Sequence, residues 1–92
     1  MRTALVRCEV SYEGVTFRTY HADKGQGLPR HEHTYAHLTM CHAGSCLITK
    51  EGKSITMTKD TQPVNLLADG WHEIEALEDG TVFVNVFAED KY

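Results

Sequence analysis

Apolar and polar residues alternate in short runs along most of this chain. VRCEVSY, residues 6–12, sets Val6, Cys8, Val10 and Tyr12 on one face and Arg7, Glu9 and Ser11 on the other. VTFRTYH, residues 15–21, alternates again, as does SITMT, residues 54–58, with Ile55 and Met57 together. A period of two marks a strand with one buried face. TVFVNVF, residues 81–87, is apolar on both faces except at Asn85, which suits a strand inside a sandwich. Turn signals separate the runs: Glu13-Gly14, Gly25-Gln26-Gly27, Gly44-Ser45, Glu51-Gly52, Asp69-Gly70 and Asp79-Gly80. Such pairs supply the positive φ that tight hairpins need. The pattern predicts an all-β protein, an antiparallel sandwich or barrel. HEIEALED, residues 72–79, contains helix formers, but Gly70 and Asp79-Gly80 leave room for only two turns, so it is read as a strand. Ala76 stands where a metalloprotease HExxH helix requires its second histidine, which removes that class.

Composition narrows the picture further. Ninety-two residues suffice for one domain, residues 1–92, with one modest core. A hydrophobic content of 41% and a charged content of 24% argue against disorder. The formal charge is -4 and lysines and arginines are scattered from Arg2 to Lys91, so no basic stripe exists for nucleic-acid phosphates. No apolar run approaches the ~20 residues that span a bilayer, and a membrane partner is not expected. Arg7 and Glu9 break the N-terminal apolar stretch, which does not read as a signal peptide, and a cytoplasmic protein is expected. The three cysteines, Cys8, Cys41 and Cys46, are odd in number and lack CxxC spacing. Cys8 is expected to be a small buried hydrophobe. Cys41 and Cys46 flank a turn but would be diagonal, so no disulfide is expected. Edge strands need covering in so small a barrel, and a homodimer through the N-terminal strand is the expected assembly.

The chemistry is concentrated in GQGLPRHEHTYAHLTMCHAG, residues 25–44, which holds His31, His33, His37 and His42 out of six histidines in all. On a strand, His31 and His33 share a face about 6.6 Å apart, within reach of one ion at ~2.1 Å from each ring. His37 has the same parity but would lie ~13 Å beyond His33 unless the chain turns within Thr34–Ala36. His42 has the opposite parity, and His21 has no recognisable partner. Spacing alone leaves two readings open, a metal site and a polar surface strand on which histidines cluster by accident.

The same segment resembles the first motif of the cupin superfamily: Gly, five residues, HxH, three or four residues, Glu, six residues, Gly. Here Gly25, His31-Glu32-His33, His37 and Gly44 occupy those places, with His37 at the glutamate position. The second family motif, PxGxxH followed four residues later by Asn, corresponds to LADGWHEIEA, residues 67–76, with His72 on its histidine. Leu67 replaces the proline, Gly70 is one position late and Ala76 replaces the asparagine. The resemblance implies a cupin-type antiparallel jelly-roll β-barrel and carries His31, His33, His37 and His72 over as ligands of one divalent metal ion, of the four-histidine type. It also implies a bend near Thr34–Ala36 that returns His37 to the ion, and leaves His42 and His21 as surface or core residues.

Four neutral imidazoles leave a divalent ion its full charge, which favours an anionic or chelating small-molecule ligand. Imidazole suits Fe, Ni, Cu and Zn, Mn also stays in view, and the ligand set does not choose among them. Tyr35 and Trp71 are the expected pocket walls, and Glu32, Glu73 and Glu75 are expected to be solvated. A metal-dependent enzyme on a small polar molecule, dioxygenase-like, is the favoured function, with isomerase and lyase chemistry in the family's range. A non-catalytic metal or small-ligand binding module and a structural barrel with vestigial histidines are the alternatives, since a fold alone does not choose a function.

Overall fold

A computed structural model describes residues 1–32, 34–66 and 70–88. Among these, strands account for all regular structure: β1 (Arg2–Thr3), β2 (Leu5–Tyr12), β3 (Val15–Ala22), β4 (Gln26–His31), β5 (His37–Ala43), β6 (Ser45–Lys50), β7 (Lys53–Thr58), β8 (Val64–Leu66), β9 (His72–Ala76) and β10 (Thr81–Ala88). They form two five-stranded sheets, β1-β4-β9-β6-β7 and β2-β3-β10-β5-β8. Neighbours are antiparallel except β1 and β4. Successive strands from β4 to β10 repeatedly cross between sheets, which makes the antiparallel jelly-roll barrel expected from the alternation. Residues 72–76 are a strand, as read, and residues 77–79 leave it. No helix long and apolar enough to cross a membrane occurs among the described residues.

The interior follows from parity. On the first sheet Ala76, Cys46 and Met57 oppose one another in one row, and Leu28, Ile74, Ile48 and Ile55 in the next. The second sheet answers with Phe83, Tyr20 and Cys41, and the Phe83 and Tyr20 rings stack at 4.9 Å. Ile48, Ile74, Met57 and Phe83 are fully buried, each contributing about 1.5–3 kcal/mol of hydrophobic stabilisation. Gly44 turns the chain from β5 into β6 at φ 71°, a left-handed conformation that disfavours any side chain. Cys41 and Cys46 flank this turn as buried free thiols.

Strand β2 corrects one expectation. Val6 pairs with Tyr20, but a bulge follows, and Cys8, Val10 and Tyr12 then pair with Thr19, Phe17 and Val15. One inserted residue reverses which face every later side chain takes. Cys8 thus leaves the face of Val6, and it is exposed rather than buried, as are all eight residues of β2 on both of its faces. Glu9 turns to the other face instead, where it pairs with Arg18 at 2.6 Å.

Candidate metal centre at the barrel mouth

Strand β4 carries a second bulge with a direct bearing on the site. Leu28 pairs with Ile74, and His31 pairs with His72, so three steps on β4 match two on β9. The extra residue falls at Pro29-Arg30, where a proline without an N–H suits an interrupted ladder. It brings His31 onto the same inward face as Leu28. The ring is fixed there by its Nδ1, 2.6 Å from the Pro29 carbonyl. A carbonyl only accepts, so Nδ1 carries a proton and Nε2 is the nitrogen through which the ring would ligate.

His37 arrives from the other sheet. The chain bends at Thr34 and Tyr35, and β5 begins at His37 with its side chain buried. Its Nδ1 faces the Leu38 carbonyl at 3.4 Å and Thr39 Oγ1 at 3.5 Å, and the Thr39 hydroxyl donates to Asn85 Oδ1 at 2.7 Å. These contacts again assign the proton to Nδ1 and aim Nε2 inward. Burial lowers the His37 pKa from its ordinary value, the Leu38 carbonyl opposes that, and the charge of His31 adds to the lowering. The ring is thereby held neutral near pH 7, the form that ligates a metal.

His72 begins β9, is 1% exposed, and stands between the other two. Its ring centre is 4.3 Å from that of His31 and 5.4 Å from that of His37, both nearly perpendicular at 72°. An ion ~2.1 Å from each ring nitrogen lies about 3.2 Å from each ring centre, which sets neighbouring rings roughly 4.5–5.3 Å apart. The observed separations lie just below and just above that range, and imidazole nitrogen is a donor type that suits a divalent transition ion. Among the described residues no three side chains, these included, are placed so as to hold a metal ion together. His33, the fourth expected ligand, lies outside the described residues, as does Leu67 of the second motif.

Trp71 lines a groove of about 210 Å³ with Lys50, Lys53, Leu66 and His72, and a second one beside Arg30 and His31. The Arg30 guanidinium lies 4.1 Å over the Trp71 ring centre. Tyr35 instead packs between His37 and Phe87, with ring centres 6.4 and 6.5 Å away. Glu32 is exposed, Glu73 and Glu75 are half-buried, and His42 and His21 are exposed. The alternation missed two groups. Lys50 shares the inward parity of Cys46 and Ile48, a signal present in SCLITK, and Asn85 interrupts an apolar run because it belongs to the His37–Thr39 hydrogen-bond chain.

The fold is that of the cupins. A cupin 2 domain-containing protein from Halorhodospira halophila superposes with a TM-score of 0.83 at 15% identity, covering 98% of this chain and 67% of that one. KdgF from a Halomonas species gives 0.79 at 16% identity over 88% of this chain and 74% of that one. A cupin superfamily protein from Desulfitobacterium hafniense gives 0.77 at 16% identity over 95% and 78%. No protein-family model matches the sequence, and no curated protein matches it. Identities this low establish the double-stranded β-helix alone; the chemistry has to come from the site.

Proposed function

We propose that this chain is a small metal-dependent cupin that holds one divalent ion through His31, His33, His37 and His72 and acts, in a dioxygenase-like manner, on a small polar or chelating molecule. The observation that carries the reading is the approach of His31, His37 and His72 from both sheets, with two of the rings committed at Nδ1 to backbone carbonyls. A tautomer fixed by such a partner is what a metal-ligating histidine uses. A divalent ion held there would supply Lewis acidity toward an anionic or chelating ligand. Thr39 and Asn85 would orient His37, and Trp71 would wall the entrance. Elemental analysis of untagged protein purified without chelators tests this, with about one equivalent of Fe, Ni, Cu, Zn or Mn expected and none overturning it. Oxygen uptake with small chelating acids then separates the enzyme from a binding module.

The chain would work as a homodimer in a cytoplasmic setting. After the β2 bulge, Val10, Phe17, Val86 and Leu38 form one row across the outer face of the second sheet, and Val10, Phe17 and Leu38 are 51%, 40% and 40% exposed. Tyr12, at 70% exposure, extends the patch. A broad apolar face is unusual on a monomer, and a two-fold axis would lay this stripe against itself. Sedimentation equilibrium tests it: a dimer for the wild type and a monomer for Phe17→Glu are expected, and a wild-type monomer at all concentrations refutes it.

A further inference from the structure

The histidines make up half of a cross-strand row at the barrel mouth. His31 opposes His72 on β9, His72 opposes Lys50 on β6, and Lys50 opposes Lys53 on β7. Directly opposed side chains share a face, so all four belong to the inward side, one step beyond the apolar row of Leu28, Ile74, Ile48 and Ile55. Four neighbours that are cationic or can become so are unfavourable in direct opposition. Among the described residues no carboxylate lies within ion-pair distance of Lys50 or Lys53. Glu51, in the turn between them, borders the same groove, and the two lysines outnumber it.

We infer that Lys50 makes this site specific for a small molecule bearing a carboxylate, taken up by the Lys50 ammonium beside His72 at the mouth of the barrel. The inference rests on the histidine cluster being the functional centre, and it names the class of ligand. Lys50 Nζ is already positioned: it donates to the Asn65 carbonyl on β8 at 3.3 Å, reaching from one sheet to the other, and keeps two further protons to donate. The groove of about 210 Å³ between Lys50, Lys53, Leu66, Trp71 and His72 is open on one side and has room for a small organic acid. Leu66 and Trp71 give its carbon body apolar walls. The net charge of -4 on the chain opposes an incoming anion at long range, so the attraction has to come from the lysines at the groove itself.

Trp71 is the only tryptophan, so its fluorescence reports the groove directly. Purified protein is titrated with malonate, and with malonamide as the uncharged counterpart, both as isolated and after chelator treatment, with metal content measured on each sample. Saturable binding of malonate over malonamide is expected, weakened roughly tenfold or more in Lys50→Met, with unchanged circular dichroism. Lys50→Arg should bind more tightly than Lys50→Met, because it restores the charge. Equal malonate affinity in wild type and Lys50→Met, equal affinity for malonamide, or no binding at all overturns the inference. Metal in every sample with malonate binding indifferent to Lys50 leaves the metal reading standing and removes this one. Absence of metal with binding that still depends on Lys50 removes the metal reading and upholds this one.

Discussion

Replacing Gly27 by alanine should damage both the fold and the site, because β4 and β9 approach there backbone to backbone. Gly27 pairs with Glu75, and its carbonyl accepts from the Ala4 N–H at 2.7 Å. A Cβ at this position would overlap the Ile74 carbonyl oxygen and come within 2.8 Å of its carbon and 3.0 Å of Glu75 Cα. Carbon atoms pack best at about 3.5–4.0 Å, so the strands would have to part by roughly 1 Å. A side chain could rotate away; a backbone cannot. Losing two or three ladder hydrogen bonds at about 1 kcal/mol each, with an overpacking term of about 1–3 kcal/mol, gives a destabilisation of about 3–6 kcal/mol. The lower entropy of the unfolded alanine chain returns less than about 1 kcal/mol of that. At about 4–8 °C per kcal/mol for a domain of this size, Tm should fall by roughly 10–45 °C. Thermal unfolding followed by far-ultraviolet circular dichroism measures this. His31 lies four residues further along β4, opposite His72, so metal content should fall in the same samples. A Gly27→Ala protein melting within about 2 °C of wild type would refute the packing argument.

Three other outcomes are expected. Thr39→Val removes the hydroxyl between His37 and Asn85, leaves Asn85 Oδ1 without its donor, and should cost about 1–3 kcal/mol in urea unfolding and roughly 10–100-fold in metal affinity; an unchanged midpoint and affinity would dismiss the role of that chain. In chelator-treated protein His37 is neutral in both states above its ordinary value of 6.5, and below it the unfolded chain takes up a proton that burial denies the folded one, so stability falls as pH falls until the lowered folded pKa is reached. Urea midpoints at pH 7.5 and 5.5 should show that loss, and it should shrink in His37→Gln; identical pH dependence in the two proteins would exclude His37 as its source. A thiol reagent should modify Cys8 at once but Cys41 and Cys46 only on unfolding, because burial removes access and raises both of their pKa values; three fast equivalents in the native protein would contradict the burial.

The number and kind of elements were legible along the chain, because a strand's period of two and the acidic-glycine turns are local properties. β3, β7, β9 and β10 fall where the alternation places them, and the bend after residue 33 falls where the motif spacing requires it. The histidines were also visible as candidates, since their crowding into residues 25–44 needs no fold to be noticed. Which face each side chain takes was a different matter. A bulge in β2 turned Cys8, Val10 and Tyr12 outward, and another in β4 turned His31 inward, each through one residue that interrupts the pairing with a partner strand. The row of His31, His72, Lys50 and Lys53 exists only once four strands from distant parts of the chain have settled in register. Periodicity is written in the sequence because it depends on neighbours along the chain; register is a balance among strands, so only the assembled sheets could set the lysine beside the histidines.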